Sequence, residues 1–217
     1  MVYEFTKFQS TLTFADENPL KRNFLVFLQM MLSCCLEPDF QQGSQDSYFG
    51  EPETKIEEKL QQMRDLLKSQ AWNNEFREVL EKFSYLDMSS LSYKREGCEV
   101  CRRAGRIASK CLQFRGQCYN KETFESVEDD AGQGKMVFEA GIKCALRSNL
   151  YHGVFHYKYE LHKKCKNAIN KFSIIHDDAP YVLDKCLDNE DWMLKRYEEF
   201  INMEEKVMKW YTTDGRS

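Results

Sequence analysis

Cys98 and Cys101 lie three apart in the stretch Gly97–Cys111, GCEVCRRAGRIASKC. In a turn this spacing brings two sulfurs to about 3.5–4 Å, one edge of the tetrahedron that zinc prefers. The same pair can also shuttle electrons, form a disulfide or fill a core. A second pair of donors is what would single out metal. Three of the four histidines fall in one segment with a helical period, and His152 and His156 are four apart in it. That step stacks both rings on one helix face, one turn apart. Cys98, Cys101, His152 and His156 would then form a Cys₂His₂ zinc site. Cys144 is the alternative ligand. It precedes His152 by eight residues, about 12 Å along a continuous helix, so it joins the ion only in place of a histidine and only if the helix begins later. The thioredoxin type of redox pair needs its first cysteine at a helix N-terminus after a strand, and the local pattern lacks that. The remaining cysteines, Cys34, Cys35, Cys111, Cys118, Cys165 and Cys186, read as small hydrophobes.

Cations follow the knuckle. Residues 94–115 carry seven Lys and Arg against two Glu, although the whole chain has a net charge of −4. Arg102, Arg103, Arg106, Lys110 and Arg115 are therefore candidate phosphate contacts for a nucleic acid, with Phe114 or Tyr119 for stacking. A run of charge also serves simply as a solvated face. Catalytic signatures are missing: no Gly-rich phosphate loop, no His-Glu-x-x-His and no Gly-x-Ser-x-Gly. Nor does a His-x-Glu or Cys-x-Glu stand upstream of the cysteine pair, as a zinc deaminase needs. A Cys98 or Cys144 nucleophile with His152 or His156 as base is the one enzymatic arrangement available, and the reading favours no enzyme.

These residues need a scaffold. The chain has 217 residues, 42% hydrophobic and 30% charged, enough for a real core. No run of about 18 apolar residues marks a membrane span, and the first ten residues lack the charge and apolar block of a secretory leader. Nine cysteines without a leader point to a reducing compartment with free or metal-bound thiols. Apolar steps of three and four predict helices over Leu20–Leu36, Glu53–Trp72, a short stretch capped by Asn73 or Asn74, and Glu190–Tyr211. Glu37–Pro52 reads as a loop. One long helix is predicted from about Phe138 or Ile142 to Phe172. Leu150, Val154, Tyr157, Leu161 and Cys165 form one apolar stripe on it and Tyr151, Phe155 and Tyr159 another, so it should be central. His176–Pro180 restarts helix. Between these lies a small β insert: two short strands, or a strand and a turn, joined across Arg115–Gln117, then an acidic loop over Glu125–Lys135. The expected fold is mainly α with that insert, a zinc-knuckle-like β hairpin docked on one long central helix. It is expected as a single domain over 1–217, with N-terminal helices in 1–88, the knuckle, strands and acidic loop in 89–135 and the central and C-terminal helices in 136–217.

Taken together, Cys98 and Cys101, Gly116 and Tyr119, Gly141 and Cys144, Arg147, and Tyr151, His152 and His156 resemble the eukaryotic domain of unknown function numbered 4211. That domain is carried at the C-terminal end of coiled-coil domain-containing protein 82, glutamine- and serine-rich protein 1 and proline-rich protein 12. Here the stretch between the two motifs is longer and more acidic. The resemblance implies that the Cys and His residues act together and that the setting is nuclear, with chromatin association and no catalytic activity. The resulting expectation is a zinc-stabilised, non-catalytic interaction module, a subunit of a chromatin or transcription-related complex. Tyr3, Phe5, Phe8, Tyr48 and Phe49 are its candidate aromatic anchors, unless they cover the chain's own helices. A nucleic-acid-binding knuckle using the 94–115 patch is the alternative, and neither a membrane nor a small-molecule substrate is expected.

Overall fold

Asn18 starts the first helix by accepting hydrogen bonds at Oδ1 from the backbone N–H groups of Leu20 and Lys21, at 3.0 and 3.2 Å, with Pro19 in the first turn where its missing N–H costs nothing. A computed structural model describes the chain over residues 18–37, 40, 47–127, 136–174 and 178–213. Tyr3, Phe5, Phe8, His176 and most of the acidic loop lie outside those residues. Among the described residues there are seven helices: α1 (Pro19–Leu36), α2 (Ser47–Leu67), α3 (Asn74–Lys82), α4 (Ile142–Phe155), α5 (Tyr157–Ser173), α6 (Ala179–Leu187) and α7 (Glu190–Thr213). None is long and apolar enough to cross a membrane. The strands are β1 (Tyr85–Glu96), β2 (Ile107–Arg115), β3 (Cys118–Tyr119), β4 (Ser126–Val127) and β5 (Val137–Ala140). The molecule is thus mainly helical with a small antiparallel sheet.

The described contacts gather into two compact units. The first comprises residues 1–61 and 158–203. Phe24 packs against Phe200 and Tyr197 there, with ring centroids 5.2 and 5.6 Å apart. Tyr48 donates to Gln29 at 3.2 Å, and Phe49 is buried. Tyr48 therefore reaches the chain's own helix α1 and Phe49 is turned inward, in line with the competing reading of those two aromatics. The loop expected over Glu37–Pro52 gives way to helix from Ser47, with Pro52 inside α2; Thr54 donates its hydroxyl to the Gly50 carbonyl at 2.8 Å. Helix α6 starts as its sequence suggests, with Asp178 accepting from the Tyr181 N–H and Pro180 in the first turn.

The second unit comprises residues 62–157 and 204–217. Its three-stranded sheet has the order β1-β2-β5, antiparallel throughout. Leu112 stands between Met88 on β1 and Phe138 on β5. Phe76 of α3 meets Phe114 and Phe138 edge-on, at 5.8 and 5.1 Å, an arrangement that suits aromatic quadrupoles. Strand β1 lacks a sequence signal because little of it is buried. Alternation appears only when one face is covered, and most of β1 is exposed or half-buried on both faces.

One long helix from 138 or 142 to 172 does not form. Residues 137–140 are strand β5, turning Phe138 and Ala140 into the core. The helical stretch that follows is interrupted at His156, whose backbone (φ −91°, ψ 7°) caps α4 before α5 begins. Both imidazole nitrogens of His156 are bound, to Tyr119 and to the Leu80 carbonyl. The apolar stripes did not register that interruption, because hydrophobic period is blind to a single residue leaving helical geometry.

Candidate metal centre

The turn joining β1 to β2 is built around two glycines and one arginine in left-handed backbone. Gly97 has φ +93° and donates its N–H to the Arg106 carbonyl at 2.8 Å. Arg102 has φ +51° and donates to the Cys98 carbonyl at 2.7 Å, and Gly105 has φ +72°. Between them Cys98–Cys101 makes a tight turn. Neighbours anchor it. Asn73, the N-cap of α3, donates backbone and side-chain N–H to the Val100 carbonyl at 2.9 and 3.1 Å. Glu99 donates its N–H to the Glu139 carbonyl at 2.9 Å, and its carboxylate accepts from the Glu139 N–H at 2.8 Å. The knuckle is thereby attached to α3 and to β5.

Strand β5 leads through Gly141 into α4. The Gly141 N–H donates to Cys98 Sγ at 3.4 Å, and Cys144 follows in the first turn of α4. The sulfurs of Cys98, Cys101 and Cys144 all lie within 4.8 Å of one another. Cys98 is buried, and the other two are half-buried. The thiol of Cys144 donates to Cys98, and the backbone N–H of Gly141 adds to this; together they pull the Cys98 thiol down to about 5. Cys144 is pushed up, by that hydrogen bond and by burial. One sulfur is thus ready as a thiolate, the form that binds metal. Three soft, converging donors suit a thiophilic ion such as zinc, and these three cysteines could hold one. All nine cysteines are free of disulfides.

His152 and His156 are elsewhere. Helix α4 begins at Ile142, before Cys144, so the eight residues to His152 span about two turns. The structure therefore brings Cys144 to the cysteine pair, whereas His152 and His156 stay outside the group. Both are buried. His152 Nε2 donates to the Phe83 carbonyl at 2.9 Å and His156 Nε2 to the Leu80 carbonyl at 3.1 Å. With Nε2 protonated, His156 Nδ1 accepts from the Tyr119 hydroxyl at 2.6 Å. The two rings hold α4 to the carbonyl end of α3, whose last C=O groups lack helical partners.

The basic patch also divides. Arg102 pairs with Glu75 at 2.9 Å, Arg115 with Asp87 at 3.6 Å, and Lys110 donates to the Ser90 hydroxyl at 2.8 Å. Arg103 and Arg106 instead line a cavity of about 450 Å³ beside the three cysteines, with Lys143, Arg147, Trp72 and Trp210. Arg147 donates from Nε to the Leu67 carbonyl at 2.5 Å and from Nη2 to the Lys68 carbonyl at 2.7 Å. Its guanidinium lies 4.9 Å from the Trp210 ring centre and 5.9 Å from that of Trp72. Lys143 and Arg147 had no separate signal in composition; their steps of one before and three after Cys144 place them around it only once α4 is known to start there.

A family model for a domain of unknown function (DUF4211) matches residues 3–124. The chain belongs to this family. Among curated relatives it is similar to proline-rich protein 12 of Mus musculus, 20% identical over 190 residues, and of Homo sapiens, 21% identical over 192 residues. Each match covers 85% of this chain and 9% of the relative, so the chain corresponds to a small part of those proteins. No solved structure matches it. The residues that carried the resemblance to DUF4211 have distinct structural tasks in this member. Gly116 turns with φ +91° where a Cβ would lie 2.6 Å from Ser84 Oγ, Tyr119 bonds His156, Gly141 faces Cys98, and Tyr151 donates to Glu81 at 2.7 Å.

Proposed function

We propose that this DUF4211 chain is a zinc-held, non-catalytic protein-interaction module that acts as a subunit of a nuclear, chromatin- or transcription-related complex. The observation that carries the reading is the convergence of Cys98, Cys101 and Cys144. A metal ion there would join the β1–β2 turn to the first turn of α4, and metal affinity at such a site is folding free energy. A non-catalytic role is supported by the use of the two histidines. Both donate from Nε2 to backbone carbonyls, so the Cys-His pairing that nucleophilic catalysis requires is not assembled from them. The nuclear setting rests on the family resemblance. Nucleic-acid binding through residues 94–115 is the weaker reading, because Arg102, Lys110 and Arg115 are engaged within the chain.

Elemental analysis of protein purified without chelator tests the metal, with one zinc per chain expected. Purification of the tagged chain from nuclear extract tests the role, with a stoichiometric complex expected. A metal-free, well-folded chain that stays monomeric in that extract would sink the reading.

A further inference from the structure

Three thiols converge at this centre. Among the described residues no fourth His, Cys, Asp or Glu joins the group, whereas a structural zinc takes four donors. All three cysteines line the cavity of about 450 Å³, within the size range of ligand sites. A fourth donor could therefore arrive through this space, which is large enough for a side chain from another molecule.

The charge around that space has one sign. Arg103, Arg106, Lys143 and Arg147 line it, and no carboxylate does. Three thiolates on a divalent ion carry a net charge of about −1, which these four cations outweigh. Arg147 is committed to the Leu67 and Lys68 carbonyls, but Arg103 and Arg106 have no side-chain partner among the described residues. Such a lining favours an oxyanion, and guanidinium groups bind carboxylate and phosphate alike.

The rim is apolar. Ile107 and Ile142 line the cavity and are 53% and 46% exposed, and Leu146, one turn along α4 from Ile142, is also exposed. A carboxylate flanked by aliphatic side chains matches the thiols, the cations and the aliphatic side chains of this lining together. A nucleic acid matches them less well, since a phosphate track needs an extended row of free cations and the neighbouring Arg102, Lys110 and Arg115 are already engaged.

We infer that the cavity receives a short acidic and aliphatic segment of a partner protein, with one of its Asp or Glu carboxylates completing the coordination of the ion held by Cys98, Cys101 and Cys144. The inference rests on the reading of those cysteines as a metal centre, and it names what the interaction module binds. At a metal held there, a water ligand would leave as a carboxylate oxygen arrives, and nothing would be oxidised or reduced.

Cobalt(II) is the probe, because its visible absorption changes with the donor set. The full chain is loaded with cobalt and titrated in separate arms with a short peptide of Glu and Leu residues, with inorganic phosphate and with a single-stranded oligonucleotide. The peptide should saturate a change in the cobalt spectrum. Arg103→Gln with Arg106→Gln should weaken that titration about tenfold or more, as expected for losing charge-assisted hydrogen bonds, with cobalt stoichiometry unchanged. A spectrum that the peptide leaves unaltered overturns the inference, and so does a response to phosphate or oligonucleotide without one to peptide. Failure to take up cobalt overturns the metal reading as well, and is distinct from uptake without response.

Discussion

Two groups of cysteines in this chain share a local chemistry and differ in access. In the first unit the thiol of Cys35 is pulled down to about 6, chiefly by a hydrogen bond from Cys165 and further by His162 and Lys166. Cys165 is raised in turn by that bond and by burial, and Cys186 is pushed up to about 11 by burial. In the second unit Cys98 and Cys144 repeat the pattern of a lowered and a raised thiol. There the likeness ends. The knuckle thiols converge as three and line a cavity among cations. The others sit along α1, α5 and α6, with Cys165 fully buried and Cys186 nearly so, and among the described residues they form no three-donor group. Adjacent thiols alone make a polarised pair. A site that could hold a metal needs a third sulfur, delivered here by a helix start, and a route by which an ion can enter.

The sharpest break in this comparison is a matched pair of substitutions. Cys144→Ser should release the ion and lower the melting temperature steeply, because metal binding at structural zinc sites is worth on the order of 10 kcal/mol. Cys165→Ala should leave metal content at one per chain and cost about 1 kcal/mol, the usual scale of a small core change. Elemental analysis and calorimetry on both variants read the difference, and equal metal loss would erase the distinction between the two groups.

A smaller effect separates the histidines from the ligands. His156→Ala removes its bonds to the Leu80 carbonyl and the Tyr119 hydroxyl and strands buried partners, which should cost about 2–3 kcal/mol. Metal content should not change. A variant that folds with normal stability yet loses its ion would return His156 to the ligand set.

A further effect concerns pH. Cys35 is depressed in the folded chain to about 6, from an ordinary value of 9.0. Its contribution to stability is therefore complete above 9 and is lost as pH falls through about 6. Cys35→Ser should flatten the pH dependence of the melting temperature between those limits, measured with the knuckle metal bound so that its thiols do not titrate. A parallel pH profile in wild type and variant would show that the Cys165 hydrogen bond does not hold a thiolate.

Local pattern made much of this molecule legible. Ile56, Leu60, Met63 and Leu67 repeat at three and four because one face of α2 is buried, and all four are buried. Asn73 and Asp178 announce helix starts because a short side-chain oxygen can satisfy an open N–H group. The Cys98–Cys101 spacing and the family motif were equally open to reading, since both lie within short runs of sequence. Strand β1 was not, because a strand half-exposed on both faces leaves no alternation. The break at His156 was not, because the tie to Tyr119 comes from 37 residues away. The third sulfur was the hardest. Sequence offered His152, His156 and Cys144 at spacings that each satisfy a metal in isolation, and helical period alone could not say where α4 begins. That start is determined by β5, whose pairing with β2 holds residues 137–140 extended up to Gly141. Long-range pairing thus chose which donor reaches Cys98 and Cys101, and it sent the histidines to the carbonyls of α3 and its cap instead.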